Sequence, residues 1–547
     1  MRSTRNVHST PGENSTTTRL EFSLDRIQAK HRRNAAATMR SYFSAIMSAL
    51  EQAIAASFAA REPERPALSP LRALGRRQLS GIEVFAQSVA TTAPAASMVI
   101  LPITMLTNET MLGGLLTVFA ATIVVSLIAF CVSQFTRRFS SSGGLYSFAV
   151  KGSGSRGALT VGIAMLCKYC ASGALTLYFG GQAVRTVLRE TGIPTGGVVG
   201  AVVIHAVIAL GILGCLVRGV RFAAAAILVV ELCSLVFITA LLLLPESQPV
   251  TVEPSGAPNG LLLVALGAMF ALAGFESATF FGPEAKRPLV TVTRTVLLTP
   301  MICGALFTFA AWAAWSGRGG VLIGAYQHGS STGIDVWLVV ALNLGLSCSW
   351  LASAMASSNA ASRLLYTMGI ERVVPDRFAR VHQTFRTPYV ALCVVLGGLV
   401  VVSSTFVVFS SSAVLDDTRL LARAALIVGY AVVAIAAVVF LRRIGELTAT
   451  VVLAGVLACT AGCAVLANLV VTVGLAQNVT MLIMLGVLAL SGFCWRVYLH
   501  VHRPAALAAV GVFDSAESRD VLPGAAAYGE NSRGAVAVVK SPWTDAR

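Results

Sequence analysis

The chain has 547 residues, of which 56% are hydrophobic and 12% charged, and Lys plus Arg number 41 against 25 Asp plus Glu. A mean hydropathy of +0.76 excludes the three or four ordinary soluble domains that the length alone would allow, and points to a polytopic membrane protein. In a soluble protein a formal charge of +16 would raise nucleic acid as a partner, but here the charges lie between apolar spans, so topology accounts for them and no nucleic acid is expected.

In chain order, residues 1–80 form a tail of different character. Residues 1–33 are rich in Ser, Thr, Arg and Asn, lack an apolar run that could serve as a signal peptide, and are expected to be disordered. From 35 to 60, Met39, Phe43, Ile46, Met47, Leu50, Ile54 and Phe58 recur at three- or four-residue steps, the stripe of an amphipathic interfacial or cytoplasmic helix. Translation from an internal Met is the alternative account of this region. Residues 81–500 form the membrane domain, with apolar stretches at roughly 84–108, 111–136, 157–184, 196–217, 222–244 and 260–283. A second set follows at 295–317, 336–362, 388–415, 424–441, 449–477 and 478–495. Each is long enough to cross a hydrocarbon core of ~30 Å as a helix, and none alternates like a barrel strand. Residues 501–547, with Gly, Ala, Ser and Pro scattered among charges, are expected to be a disordered cytoplasmic tail.

Twelve spans predict a charge asymmetry. Lys and Arg near the span ends number 21 on one side, from Arg72 to Arg503, and 5 on the other, namely Arg185, Arg189, Arg318, Arg419 and Arg423. Cations concentrate on the cytoplasmic side, so both termini are expected there, in a plasma or inner membrane with lipid as the surrounding partner.

The eleven cysteines all fall in apolar spans, away from outside loops where they could pair. Cys167 and Cys170 form a C-x-x-C without a second pair or a nearby His, so a small-residue packing role outweighs metal or redox work. No cofactor and no metal are expected.

Broken helices and ionisable groups are costly in a bilayer and mark function there. In the first span, Ser88 to Ser97 places hydroxyl and small residues around Pro94, which removes a backbone donor and clashes with the preceding turn. In the sixth, Phe270-Ala271-Leu272-Ala273-Gly274-Phe275-Glu276-Ser277 sets Gly and a carboxylate amid apolar residues. Breaks at both would leave amides of residues 95–97 for a carboxylate and carbonyls near 270–273 for an ammonium, a pair suited to a zwitterion. Kinks that serve only helix packing are the alternative.

Three stretches resemble the amino acid permeases of the amino acid, polyamine and organocation superfamily. They are Ser141-Ser142-Gly143-Gly144-Leu145-Tyr146; Gly274-Phe275-Glu276 with Gly282-Pro283-Glu284-Ala285-Lys286-Arg287-Pro288; and Asn359 to Tyr366 with Val374-Pro375 and Thr387-Pro388-Tyr389-Val390-Ala391. The resemblance covers roughly residues 80–500. It implies an all-α leucine-transporter-type fold, with helices one to five and six to ten as inverted repeats and helices one and six unwound at mid-membrane. It also implies a secondary active permease, a symporter or exchanger, for an amino acid or related small amine.

Carried over, the resemblance assigns substrate carboxylate binding to the backbone of Thr92, Ala93, Ala95, Ala96 and Ser97 around Pro94. Amine binding falls to Phe270, Ala271, Ala273 and Gly274, with the Phe270 ring as a gate. The first break departs from the family's glycine-rich pattern, since Ala93-Pro94-Ala95-Ala96 carries methyl groups that should narrow the site. Glu231 stands alone in the fifth span, where sodium-independent members often have lysine, and Lys168 is the one lysine in a span interior. The expectation is a proton as coupling ion, handled by Glu231 with Lys168 as its partner; a static ion pair between them is the alternative. His205 is read as an interhelical hydrogen-bonding residue, Glu276 as a brace of the unwound sixth helix, and Arg363 with the basic 372–386 loop as an anchor of the cytoplasmic face.

An enzyme is disfavoured because no Ser/His/Asp set, phosphate loop or paired carboxylates occurs in the spans. A channel lacks its filter or charged rings. A transporter-like sensor without net transport is the rival reading.

Overall fold

The computed structural model describes Leu74, residues 79–243, 260–409 and 412–511, and two short strands at Ala527–Glu530 and Val536–Val539. The expected amphipathic helix at 35–60 and the disorder expected for 1–33 lie outside the described residues. Within these residues, twelve spans are long and apolar enough to cross a membrane. They are Gly81–Thr107, Met111–Thr136, Leu145–Glu190, Gly197–Val217, Phe222–Leu243, Gly260–Phe281, Pro288–Trp315, Val336–Ile370, Tyr389–Phe409, Ala413–Arg443, Ala449–Leu475 and Val479–His502. The third span packs along the eighth and the tenth, the second along the seventh, and the twelfth against the third.

The first and sixth spans are each two pieces. Gly81–Thr91 begins with a capping box, in which Ser80 N donates to Glu83 Oε2 at 2.6 Å and Glu83 N to Ser80 Oγ at 3.4 Å, and ends at Thr92. Pro94 then starts Pro94–Thr107 at the one helical turn where a missing N–H costs nothing. The sixth span runs as a helix over Gly260–Ala271, loosens at Leu272 to Gly274, and resumes as a tighter 3-10 turn over Phe275–Phe281. The two breaks lie five spans apart, the spacing that the expected five-plus-five inverted repeat calls for. The two broken spans are also joined at one end by a backbone bridge, with Leu79 N donating to Glu284 O and Lys286 N to Leu79 O, both at 2.9 Å.

Three spans depart from their expected limits for a local reason. The third is a helix over Leu145–Glu190 whose only non-helical residue is Gly154, at φ 65°, so it starts well before residue 157. The eighth continues to Ile370 and the tenth begins at Ala413, which places Arg363 and Arg423 inside helices rather than in flanking loops. Hydropathy ends a span at its first cluster of charges. These clusters, however, are paired within the fold: Arg363 with Glu284, and Arg419 with Asp416.

Within 501–547, for which disorder is expected, the described residues include a helix, Pro504–Ala509, with Ala506 and Val510 buried. Gly511 N donates to Glu371 Oε1 at 2.7 Å. The strands Ala527–Glu530 and Val536–Val539 pair antiparallel.

Close approach of helices fixes the third span to the tenth. A Cβ on Gly152 would stand 2.2 Å from the carbonyl oxygen of Ala436, which is backbone and cannot swing away. Gly152→Ala should therefore destabilise by about 1–3 kcal/mol in a thermal melt of the detergent-solubilised protein. Gly211→Ala, at a site where an added Cβ meets nothing within 4 Å, should raise stability by up to ~1 kcal/mol. Equal effects at the two positions would contradict the packing described.

Candidate functional site

At the first break the backbone turns through Ala93, whose φ of 44° and ψ of 60° lie in the left-handed region that residues with a Cβ seldom occupy. Side-chain hydroxyls take up the groups that the helix no longer uses. Thr92 Oγ1 donates to Val89 O at 2.7 Å, Ser97 Oγ to Thr92 O at 2.9 Å, and Ser353 Oγ of the eighth span to Thr91 O at 3.1 Å. The break amides are also occupied. Thr92 N and Ala93 N each donate at 3.0 Å, to Val89 O and Ala90 O, and Ser97 N donates to Ala93 O at 2.8 Å.

Ala95 N and Ala96 N point to side chains. Ala95 N donates to Glu231 Oε1 at 3.3 Å, Ser349 Oγ donates to the same oxygen at 2.9 Å, and Ala96 N donates to Ser349 Oγ at 3.3 Å. The amides expected to receive a substrate carboxylate are thus filled by the protein's own. Glu231 is 4% exposed, its Oε2 has no hydrogen-bond partner among the described residues, and the expected partner Lys168 is elsewhere. The N-terminus of Pro94–Thr107 offers a partial positive charge and free donors to any nearby carboxylate, so Glu231 needs no lysine.

Lys168 instead serves the sixth span. Its Nζ donates to Glu276 Oε1 at 2.9 Å, Tyr169 OH donates to that oxygen at 2.9 Å, and Tyr430 OH donates to Oε2 at 2.8 Å. Glu276 therefore ties the 3-10 segment to the third and tenth spans by three bonds, with Lys168 also 4.1 Å from the centre of the Tyr169 ring. Around it Phe275, Ser277, Phe280 and Phe281 are at most 1% exposed, so this half of the break is closed.

The two breaks touch through Gly274. A Cβ there would lie 2.8 Å from Thr92 Cγ2 and 3.0 Å from Thr91 Cβ, which is why the residue that meets the first span is glycine. Thr91 Oγ1 donates to Ser277 Oγ at 3.0 Å, and Ser88 Oγ reaches Phe275 O at 3.3 Å.

On the other side of this contact, toward Thr107, a cavity of about 380 Å³ opens, near the small end of the roughly 300–1,000 Å³ usual for ligand pockets. Thr92, Ala93, Ala96, Ser97, Phe270 and Ala271 line it. Ala95, Ala273 and Gly274 do not; they are buried behind its wall, as is Pro94. Among the described residues no hydrogen-bond donor reaches the carbonyl oxygens of Ala271, Leu272 or Ala273, so the end of Gly260–Ala271 presents free acceptors. The wall is completed by Ser172, Thr176 and Phe179 of the third span, Tyr326, Trp350 and Ser353, and two arginines of the tenth span, Arg419 and Arg423. The arginines and the third-span hydroxyls escape a reading of hydropathy, which treats the first as loop charges and the second as span filler.

Arg363 lies far inside the protein rather than at a surface. Its Nη2 donates to Glu284 Oε1 at 2.9 Å and Oε2 at 3.0 Å, its Nη1 bonds Asn359, and its guanidinium stands 4.2 Å from the centre of the Phe281 ring. Asn359 Nδ2 in turn donates to Gln87 Oε1 at 3.3 Å, so the pair links the eighth span to the first and to the end of the sixth. His205 is buried, with Nδ1 2.6 Å from Ala201 O and Nε2 3.3 Å from Tyr178 O of the third span.

The Lys168–Glu276 pair yields a stability prediction. Lys168→Met should cost roughly 3–5 kcal/mol in a detergent melt, because it strands a buried carboxylate, and Lys168→Met with Glu276→Gln should recover most of the loss. A double variant as unstable as the single one would contradict the pairing.

The sequence profile of the amino acid permease family matches residues 81–493, more than half of the chain. An uncharacterized transporter of Rhizobium meliloti (strain 1021) is 26% identical over 308 residues, which are 52% of this chain and 63% of that protein. The mitochondrial cationic amino acid transporter 3 of Arabidopsis thaliana is 24% identical over 301 residues, 49% of this chain and 48% of that protein. The chain thus spans about half to just under two thirds of the length of these curated relatives. A solved Na⁺-coupled sialic acid symporter, in a substrate-bound outward-open state, matches over 72% of this chain and 89% of that one with 13% identity and a TM-score of 0.42, too distant a likeness to bear on ion or substrate. The profile runs from the first span into the twelfth, and the chain belongs to the amino acid permease family.

Proposed function

We propose that this protein is a secondary active transporter that carries an amino acid or a related small amine across the plasma or inner membrane by alternating access, with both termini cytoplasmic. The observation that carries the reading is the cavity where the two broken spans meet, open to one side of the Thr92–Gly274 contact and closed on the other by the buried Glu276 cluster. Substrate would sit with its ammonium at the free carbonyl of Ala271, which ends Gly260–Ala271 at the cavity wall, and with Phe270 over it. Moving the closed side would require the Glu276 and Arg363–Glu284 contacts to be remade, and the family supports transport over sensing.

Glu231 is the proposed coupling group. It is a buried carboxyl with, among the described residues, one unpartnered oxygen and no cation paired with it, and its other oxygen holds the first-span break through Ala95 N. Gaining a proton would weaken that hold, so proton binding and the shape of the break are linked. Sodium coupling is the second reading. It rests on Ser353, whose hydroxyl bonds Thr91 O of the first span, and on the buried Ser357 Oγ one turn further along the eighth, which has no partner among the described residues.

Counterflow in proteoliposomes tests transport against sensing: labelled substrate should accumulate transiently against its gradient, and a sensor would show binding alone. In the same vesicles uptake should rise under an inwardly directed proton gradient and persist when choline replaces sodium. Glu231→Gln should abolish the pH dependence while exchange continues. Unchanged pH dependence in that variant, or strict dependence on sodium, would overturn the proton role.

A further inference from the structure

Among the described residues, two guanidinium groups and no carboxylate line the cavity. Arg419 and Arg423 stand one turn apart on the tenth span. Arg419 Nη1 donates to Asp416 Oδ1 at 2.7 Å, and the Arg419 guanidinium lies 5.0 Å from the centre of the Phe179 ring, which leaves some of its donors free. Arg423 makes no hydrogen bond and no ion pair among the described residues, and its Nε is buried without a partner. The charged groups that face it are Arg419 and Asp416, and Asp416 is already engaged. Its Nη2 lies 3.8 Å from the position a Cβ on Gly267 would take, one helical turn before Ala271 and its free carbonyl. The wall therefore carries one uncompensated positive charge, set about a turn from the free carbonyl of Ala271.

A half-buried cation at a cavity wall without a counter-charge is costly, and a guanidinium fork matches a carboxylate donor for acceptor. A neutral zwitterion brings as much positive as negative charge and leaves the excess in place. A cationic amino acid would add like charge to it. The usual alternative for a carboxylate, the amides at the start of Pro94–Thr107, is taken by Glu231 and Ser349.

We infer that the carried molecule is an amino acid with a second, side-chain carboxylate, which Arg423 receives while the ammonium meets the free carbonyl of Ala271. The free donors of Arg419 are left for the α-carboxylate. This rests on the reading of the cavity as the substrate site.

The test compares acids with their near-isosteric amides in proteoliposomes holding the full chain. Labelled glutamate, aspartate, glutamine, asparagine, leucine and lysine are offered to the wild type, Arg423→Gln and Arg423→Lys. The wild type should take up the acids with a kcat/KM at least ~10-fold above their amides and should reject lysine. Arg423→Gln should bring the acid-to-amide ratio near one while amide uptake persists, and Arg423→Lys, which keeps the charge without the fork, should retain part of the preference. If Arg423→Gln does not fold, the wild-type ratio and the lysine variant still decide. Amides carried as well as acids by the wild type, preference for lysine, or a proportional loss of acids and amides in Arg423→Gln would each overturn the inference and leave amino acid transport intact. No uptake or counterflow of any of the six would overturn the transport reading itself, and the inference with it.

Discussion

Glu276 is the fixed point about which the two broken spans are arranged. A 3-10 segment within a membrane span has fewer and poorer backbone bonds than an α-helix, and it persists only if something else holds it. Lys168, Tyr169 and Tyr430 do so, with three bonds of 2.8–2.9 Å from two other spans to one carboxylate. The charge is matched by a lysine that is itself 1% exposed, so neither partner can be removed alone without leaving an ion in low dielectric. With the segment held, Gly274 can press against Thr92, and that contact separates a closed half from the cavity.

The first span solves the same problem by different chemistry. Its break frees carbonyls, which the Ser97 and Ser353 hydroxyls take up, and amides, which Glu231 from the fifth span caps with Ser349 from the eighth. One span is thus held by a carboxylate paired with a lysine and the other by a carboxylate paired with a helix N-terminus. The difference matters because a pair with lysine is satisfied on both sides, whereas Glu231 keeps one oxygen without a partner. The first arrangement suits a brace and the second a group that changes state.

Much of the fold is legible in the sequence because the bilayer imposes a single strong rule, that a span must be apolar for its whole length. Twelve such stretches, the break residues around Pro94 and Gly274, and the family motifs are all visible in one dimension. Partnerships are not. Lys168 and Glu231 are the two ionisable residues a reader would pair, yet Lys168 lies with Glu276, 108 positions away, and Glu231 with backbone amides that carry no sequence signal. Arg363 and Arg423 look like loop charges because hydropathy ends a helix at its first cation, whereas a fold extends the helix when a partner or a cavity receives the charge. The occupied state of the Ala95 and Ala96 amides likewise follows from three-dimensional packing alone.

The central claim is that the space between the Thr92–Gly274 contact and the two arginines is where substrate sits. It is tested most directly by site-specific thiol labelling at Ser97, which lines the cavity, after replacing the eleven native free cysteines. Ser97→Cys should react with a membrane-impermeant maleimide, and a saturating concentration of any amino acid the protein carries should slow that reaction severalfold. A labelling rate unchanged by a transported substrate would place the substrate elsewhere and contradict the account.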